Sequence, residues 1–297
     1  MRVFVTGATG FIGTALIPEL KAAGHDVVGL ARNQAAVAKL DTLGVAVHRG
    51  VLEEPKSLAE GVRTADGVIH LAFDHDFSRF VENGRKDNRA VEAMLALLEG
   101  TGKPFVVTSG VNLIMGKMAE ETDSTPPDGF GAVRGASELA TLAAAGRCVR
   151  AMVMRLPQVH DTRRQGLVTP IIQIARRKGF VGYAGDGSTG LSAAHVSDVA
   201  RVYRLALEKG KAGAVFHAVD EEHVTMRAMT EAIGERLGLP VRGLGPDETG
   251  DYFGDFAMFA GMDNHASSAI TRKALDWTPT GRGMLEDLRD CELDAVI

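Results

Sequence analysis

The sequence predicts an α/β protein: a doubly wound parallel sheet with a smaller C-terminal α/β substrate lobe. Three observations carry this. Short apolar runs alternate with helical spacing from residue 1 to residue 156. Such strand–helix alternation gives a parallel sheet covered on both faces, and right-handed crossovers make it doubly wound. A glycine-rich turn follows the first run directly, and beyond Pro157 the alternation loosens.

Taken in order, strands are predicted at 1–6, 26–31, 45–49, 67–72, 105–109 and 149–156. Helical periodicity fills the gaps at 14–23, 34–43, 56–63, 79–98 and 135–146, and Gly24 stops the first helix. The stretch 118–131 holds Pro126, Pro127, two glycines and several acidic residues, and reads as a loop. Further on, helices are expected at 170–178, 196–208 and 225–237, with a glycine-rich loop at 182–190 and a strand at 214–219. Gly238 and Pro240 close the last of these helices.

The chain has 297 residues, 45% of them hydrophobic and 24% charged, which suits a folded globular protein of one large domain and a lobe. A net charge of -5 without a basic stripe argues against nucleic acid as a partner. Cys148 and Cys291 lie far apart, and Cys148 sits in an apolar run that predicts a buried thiol. No His/Cys/Asp cluster has metal-ligand spacing, so no metal is expected. No Gly-x-Ser-x-Gly elbow marks a hydrolase. The first residues already read as a core strand rather than a signal peptide, and no apolar stretch approaches the ~18–20 residues that span a bilayer. A cytoplasmic protein with no membrane partner is expected.

The segment Gly7-Ala8-Thr9-Gly10-Phe11-Ile12-Gly13 has the spacing G-x-x-G-x-x-G between a strand and a helix. Gly7 permits the tight turn, Gly10 lets backbone approach a pyrophosphate, and Gly13 allows close helix–strand packing. The unpaired N–H groups and dipole at the helix start favour phosphate charge. This context predicts dinucleotide binding on a Rossmann sheet. The sheet domain is placed at 1–160, with the strand at 214–219 returning to it, and the substrate lobe mainly at 161–297. The second strand ends in Ala31-Arg32-Asn33. An acidic residue there would take a ribose hydroxyl, whereas Arg32 suits a 2′-phosphate, so NADP is favoured with NAD as the alternative.

The turn from Thr6 to Gly13 resembles the extended short-chain dehydrogenase/reductases, the NAD-dependent epimerase/dehydratase-like family. His70-Leu71-Ala72, followed by Phe73, is similar to that family's fourth-strand end, and Val106-Val107-Thr108-Ser109 to its fifth-strand serine motif. Arg155-Leu156-Pro157-Gln158-Val159 resembles the segment bordering the nicotinamide. Gly185-Asp186-Gly187, with His195 to Ala200, resembles the substrate-lobe signature, and Leu275 to Pro279 the C-terminal element. The resemblance implies an oxidoreductase moving hydride between nicotinamide and a small carbonyl or hydroxyl substrate. It implies cofactor contacts from Gly7, Thr9, Gly10, Phe11, Ile12, Gly13, Arg32, Leu71, Ala72, Phe73, Thr108, Arg134, Pro157 and Val159. A sugar-nucleotide epimerase or dehydratase, or a catalytically degenerate NADP(H) sensor, are the alternatives, and a homodimer is left open.

The family's Tyr and Lys, four residues apart, match Phe130 and Arg134 here. A phenyl ring cannot exchange a proton, and an arginine holds its charge too firmly to relay one. The implied catalytic residues are Ser109, which binds the substrate oxygen, and Arg134, which orients the ribose. Candidates for the missing proton exchange are Ser109, His160, Asp161, Tyr183 and the run Asp74-His75-Asp76. His75 and His160 stand out because both follow strand carboxyl ends, where the ligand crevice opens. His195 and Asp198 read as hydrogen-bonding residues at a helix start. Met152, Met154 and Met115 read as core. Phe253, Phe256, Met258, Phe259 and Met262 fit a cap over an apolar pocket, a core element or a dimer contact.

Overall fold

A computed structural model describes residues 1–111, 117–126 and 129–295, without the side chains of Phe77 and Phe130. Asn112 and Met115 lie outside the described residues. The chain begins β1 (Arg2–Thr6), α1 (Phe11–Ala22), β2 (Asp26–Ala31), α2 (Gln34–Thr42), β3 (Ala46–Arg49), α3 (Ala59–Arg63) and β4 (Gly67–His70). It continues with α4 (Phe80–Leu98), β5 (Pro104–Gly110), a short β6 (Met118–Ala119), α5 (Gly129–Ala144) and β7 (Arg150–Leu156). Next come β8 (Gln158–His160), α6 (Thr169–Lys178), β9 (Val181–Ala184), β10 (Gly190–His195), α7 (Val196–Lys209) and β11 (Val215–His217). The tail holds β12 (Glu221–Thr225), α8 (Met226–Leu237), β13 (Val241–Leu244), α9 (Pro246–Phe253), α10 (Ala257–Ala260), β14 (His265–Ala266), α11 (Ala269–Leu275) and α12 (Met284–Arg289).

Seven parallel strands form the main sheet in the order β11-β7-β5-β4-β1-β2-β3. The order reverses between β1 and β4, so the crevice at their carboxyl ends is where such a sheet accepts a ligand. The register pairs Thr6 with His70 and brings the two following loops side by side. On one face Leu16, Ile17 and Leu20 of α1 pack with Val199, Val202 and Tyr203 of α7. On the other, Val62 of α3 and Val91, Met94 and Leu98 of α4 meet Phe105 and Val107 of β5. Met152 and Met154 are core residues.

The C-terminal part has its own apolar core, in which Ile171 and Ile172 of α6 meet Met229 and Ile233 of α8 and Leu288 of α12. Its strands form small sheets, β12-β10-β8 and β13-β9, while β14 pairs with β6. Most of these strands have five residues or fewer, which is why the sequence pattern looks loose there. Two expectations are corrected. The glycine-rich loop expected at 182–190 is confined to 185–189, because its two ends belong to β9 and to the start of β10. Cys148 is exposed rather than buried, because it ends a 3-10 turn before β7 with φ 55, whereas Cys291 is the buried thiol. Among the described residues no helix is long and apolar enough to cross a membrane.

Candidate active site

The glycine turn is built as its spacing demands. Gly7 has φ +66, and a Cβ there would lie 2.7 Å from the Ala72 nitrogen and 2.8 Å from the Leu71 carbonyl carbon. The β1 and β4 loops can pack together only because that atom is missing. A Cβ on Gly13 would come within 2.3 Å of the Gly7 oxygen, so α1 lies directly on the turn. Gly10 is the N-cap and has no side chain to close the helix. The first-turn N–H groups of α1 therefore remain available to an anion. The Lys39 ammonium donates to the Thr9 carbonyl at 2.9 Å and pins the turn from α2.

Above this turn runs a cleft of about 700 Å³, within the range of ligand pockets. Its walls include Gly7, Thr9, Gly10, Phe11, Ile12 and Gly13 of the turn, and Arg32 at the end of β2. Leu71, Ala72 and Phe73 come from the loop after β4, Thr108 and Ser109 from β5, and Arg134 from α5. Pro157 and Val159 do not line it. The Val159 side chain is turned into the core where β8 pairs with β10, and Leu156 is the wall residue of that segment.

Arg134 is held on three sides. Its Nη2 donates to the Thr108 carbonyl at 2.7 Å, its Nη1 lies 3.5 Å from Asp87, and its guanidinium stacks 3.9 Å from the centroid of Phe73. Asp87 is itself buried and accepts from Ser137 Oγ at 2.6 Å and from His70 Nε2 at 3.1 Å. Burial pushes the Asp87 carboxyl up, but Arg134, His70 and Ser137 outweigh it and hold it below its ordinary value. The other His70 nitrogen meets Thr6 Oγ1 at 2.7 Å, and that hydroxyl accepts the Ala72 N–H at 3.2 Å. A continuous polar chain thus runs from the end of β1 to Arg134. Thr108 Oγ1 donates to the His70 carbonyl at 2.7 Å and accepts from the buried Tyr203, whose phenol burial keeps protonated.

Ser109 Oγ is buried and has no hydrogen-bond partner among the described residues. His75 lies on the cleft wall, edge-on to Phe73 at 5.4 Å. The ring is still exposed, but partial loss of water beside the cleft wall, then the Arg134 charge, lower its pKa from 6.5. Asp74 also faces the cleft, but Lys86 donates to it at 2.8 Å and to Glu53 at 2.9 Å, and Lys86 holds the Asp74 carboxyl below its usual range.

The remaining proton-exchange candidates lie elsewhere. His160 is fully buried against Asp287, at 2.8 Å. Asp161 caps its own loop by accepting from the Arg163 and Arg164 N–H groups. Asp76 accepts from Ser78, and Tyr183 packs under Arg227. His195 accepts the Ser197 N–H at the start of α7, and Asp198 accepts from Thr280 and Gly281. Phe130 is the second residue of α5, one turn before Arg134, and its side chain lies outside the described atoms.

Among the wall residues, Lys86 and Arg164 carry no signal in the sequence that singles them out. Arg164 sits 5.7 Å from the Phe11 ring, reaching back toward the turn from beyond β8. Of the apolar tail cluster, only Phe259 lines the cleft. Phe253 and Met262 are buried in the lobe core, and Met258 is exposed.

A family model described as the NAD dependent epimerase/dehydratase family matches residues 3–219. The chain belongs to this family. It is 40% identical over 293 residues to the uncharacterized protein YLL056C of Saccharomyces cerevisiae, covering 97% of this chain and 98% of that one. It is 27% identical over 248 residues to a 4-hydroxy-2-methyl-3-oxo-4-farnesyl-3,4-dihydroquinoline-1-oxide ketoreductase of Stigmatella aurantiaca, covering 80% of this chain and 74% of that one. DesIV, a dTDP-glucose 4,6-dehydratase of Streptomyces venezuelae solved with NAD and TYD bound, has the same fold. Its TM-score is 0.76 at 20% identity, covering 97% of this chain and 96% of that one. This epimerase/dehydratase-family fold places its dinucleotide turn at the β1/β4 switch point, where the cleft lies.

Proposed function

We propose that the protein is an NADP(H)-dependent oxidoreductase that interconverts a small carbonyl compound and its alcohol. The observation that carries this is the composition of one cleft. One end holds a glycine turn at a helix N-terminus with Arg32 beside it, and the other holds Ser109, Arg134 and His75. The turn fits a diphosphate, because unpaired backbone donors face it and no side chain fills the approach. Arg32 fits a 2′-phosphate through a charge-assisted fork that no carboxylate could offer. The nicotinamide, when bound, gives or takes the hydride.

Reducing a carbonyl also requires a proton at oxygen. The Ser109 hydroxyl donates a hydrogen bond to that oxygen. Arg134, fixed by Thr108, Asp87 and Phe73, holds the ribose and steadies negative charge on the oxygen. His75 as the imidazolium gives the proton to the alkoxide and is recharged from solvent at the cleft mouth. In the reverse direction neutral His75 takes the hydroxyl proton. Leu156, Leu167 and Phe259 give the substrate end an apolar wall, in keeping with a small ketone. The ketoreductase name of the Stigmatella aurantiaca relative supports the reaction class.

Single-turnover absorbance at the nicotinamide band, with NADPH and a panel of aliphatic and aromatic ketones, tests the reading. NADPH oxidation with at least one ketone is expected. Tight NADPH binding with no oxidation by any of them would overturn it in favour of a sensor.

A further inference from the structure

A second constellation lies in the C-terminal part and plays no role in the cleft chemistry. His223 on β12, Asp263 in the loop before β14 and His265 on β14 offer ligand atoms that all lie within 4.8 Å of one another. The two imidazoles are stacked, with centroids 3.6 Å apart and 24° between planes. Both Nε2 atoms face the same carboxylate oxygen of Asp263, at 3.0 Å from His265 and 3.4 Å from His223. The His265 contact is a hydrogen bond, whereas His223 Nε2 is buried and makes none. Gly190 lets this happen. Its N–H donates to Asp263 at 3.0 Å, and a Cβ on it would lie 2.5 Å from His223 Nε2.

A simple His–Asp hydrogen-bond pair needs only one of the rings. The second ring brings another buried nitrogen, without a hydrogen bond of its own, to the same oxygen, and a modest rotation of the two stacked rings would turn both nitrogens onto one ion. At metal–ligand distances of about 2.0–2.1 Å, neighbouring ligands of a tetrahedral ion are about 3.3–3.4 Å apart. The two His–Asp separations, 3.0 and 3.4 Å, lie close to that edge. Two imidazoles and one carboxylate select zinc and its transition-metal neighbours over magnesium or calcium, which prefer oxygen alone. The ligands come from β12, from β14 and from the loop before β14, and Gly190 at the start of β10 holds Asp263, so an ion there would tie these strands together.

We propose that His223, Asp263 and His265 bind one divalent transition-metal ion of the zinc class, with the fourth position left to water. The test uses the full chain without an affinity tag, stripped with a chelator and titrated with zinc chloride by calorimetry. One ion per chain with a Kd of about 10 μM or tighter is expected, along with a rise in Tm on saturation. His223→Gln, His265→Gln and Asp263→Asn should each weaken binding at least about tenfold. Cys148→Ser, which removes the exposed thiol, should not. Unchanged NADPH affinity certifies that each variant is folded, and Asp263→Asn keeps an oxygen for Gly190 should the histidine variants fail. Cobalt(II) should give an intense visible absorption in wild type that the three ligand variants lose. No zinc binding below about 1 mM, or equal binding by the ligand variants, overturns the proposal.

Discussion

Replacing Arg134 by methionine keeps much of the side-chain volume and removes the guanidinium beside the buried Asp87. Asp87 is 2% exposed, so water cannot take over. Breaking a buried ion pair costs about 3–5 kcal/mol. Here Arg134 sits 3.5 Å away, and Asp87 keeps its bonds to His70 and Ser137, which puts the expected loss near the lower end, about 3 kcal/mol. With an unfolding entropy of about 2.1 cal/mol/K per residue, a chain of this length loses about 5 °C in Tm. The pH dependence is diagnostic. In wild type the Asp87 carboxyl lies below its ordinary 3.8, so its stabilisation is present above that value and fades as pH falls through the native pKa. In Arg134→Met burial wins and raises that pKa, so the penalty is present at neutral pH and shrinks as acid protonates the carboxyl. Calorimetric unfolding between pH 4 and pH 8 reads this directly. Adding Asp87→Asn removes the uncompensated charge and should restore at least about 1.5 kcal/mol in a double-mutant cycle. A Tm within about 1 °C of wild type for Arg134→Met, with additive effects in the cycle, would refute the proposed clasp.

Three further outcomes are expected. Gly7→Ala forces an L side chain to φ +66 against the Ala72 backbone, so stability should drop by about 2–4 kcal/mol and NADPH affinity more than tenfold. Wild-type thermal unfolding and NADPH titration of that variant would contradict the packing. With the His75 pKa held below 6.5, ketone reduction should decline as pH rises through that lowered value, and alcohol oxidation should decline as pH falls through it. His75→Gln should lower both rates and flatten both profiles, and an unchanged profile would remove His75 from the chemistry. Ser109→Ala leaves no hydroxyl at the cleft floor and should reduce kcat by about 10- to 100-fold with NADPH affinity intact; an unaltered kcat would count against its role.

The sheet and its ligand turn were legible because they follow local rules. Glycine spacing at 7, 10 and 13, strand runs and helix stops are each written in adjacent residues. Arg134 was legible as a departure from a pattern, but its support was not. Asp87 lies on the buried stripe of α4 with Asn83, Ala90, Val91 and Met94, and a lone acid on an apolar helix face was the available signal. In the sequence His70 carries only the signal of a strand end, although its ring is what joins Thr6 to Asp87. The lobe strands β8, β9, β10 and β12 were missed because short strands carry too few alternations to separate from turns. His223, Asp263 and His265 have no spacing a motif could catch, since β12 and β14 meet only in three dimensions.

Calorimetric titration of the purified protein with NADPH and with NADH, for wild type and Arg32→Ala, tests the central claim most directly. One NADPH per chain is expected, with at least about a tenfold preference over NADH that Arg32→Ala abolishes, as charge-assisted bonds worth about 1.5–3 kcal/mol require. Failure of both nucleotides to bind would contradict the reading of the glycine turn, and a preference unaltered by Arg32→Ala would contradict the phosphate clamp.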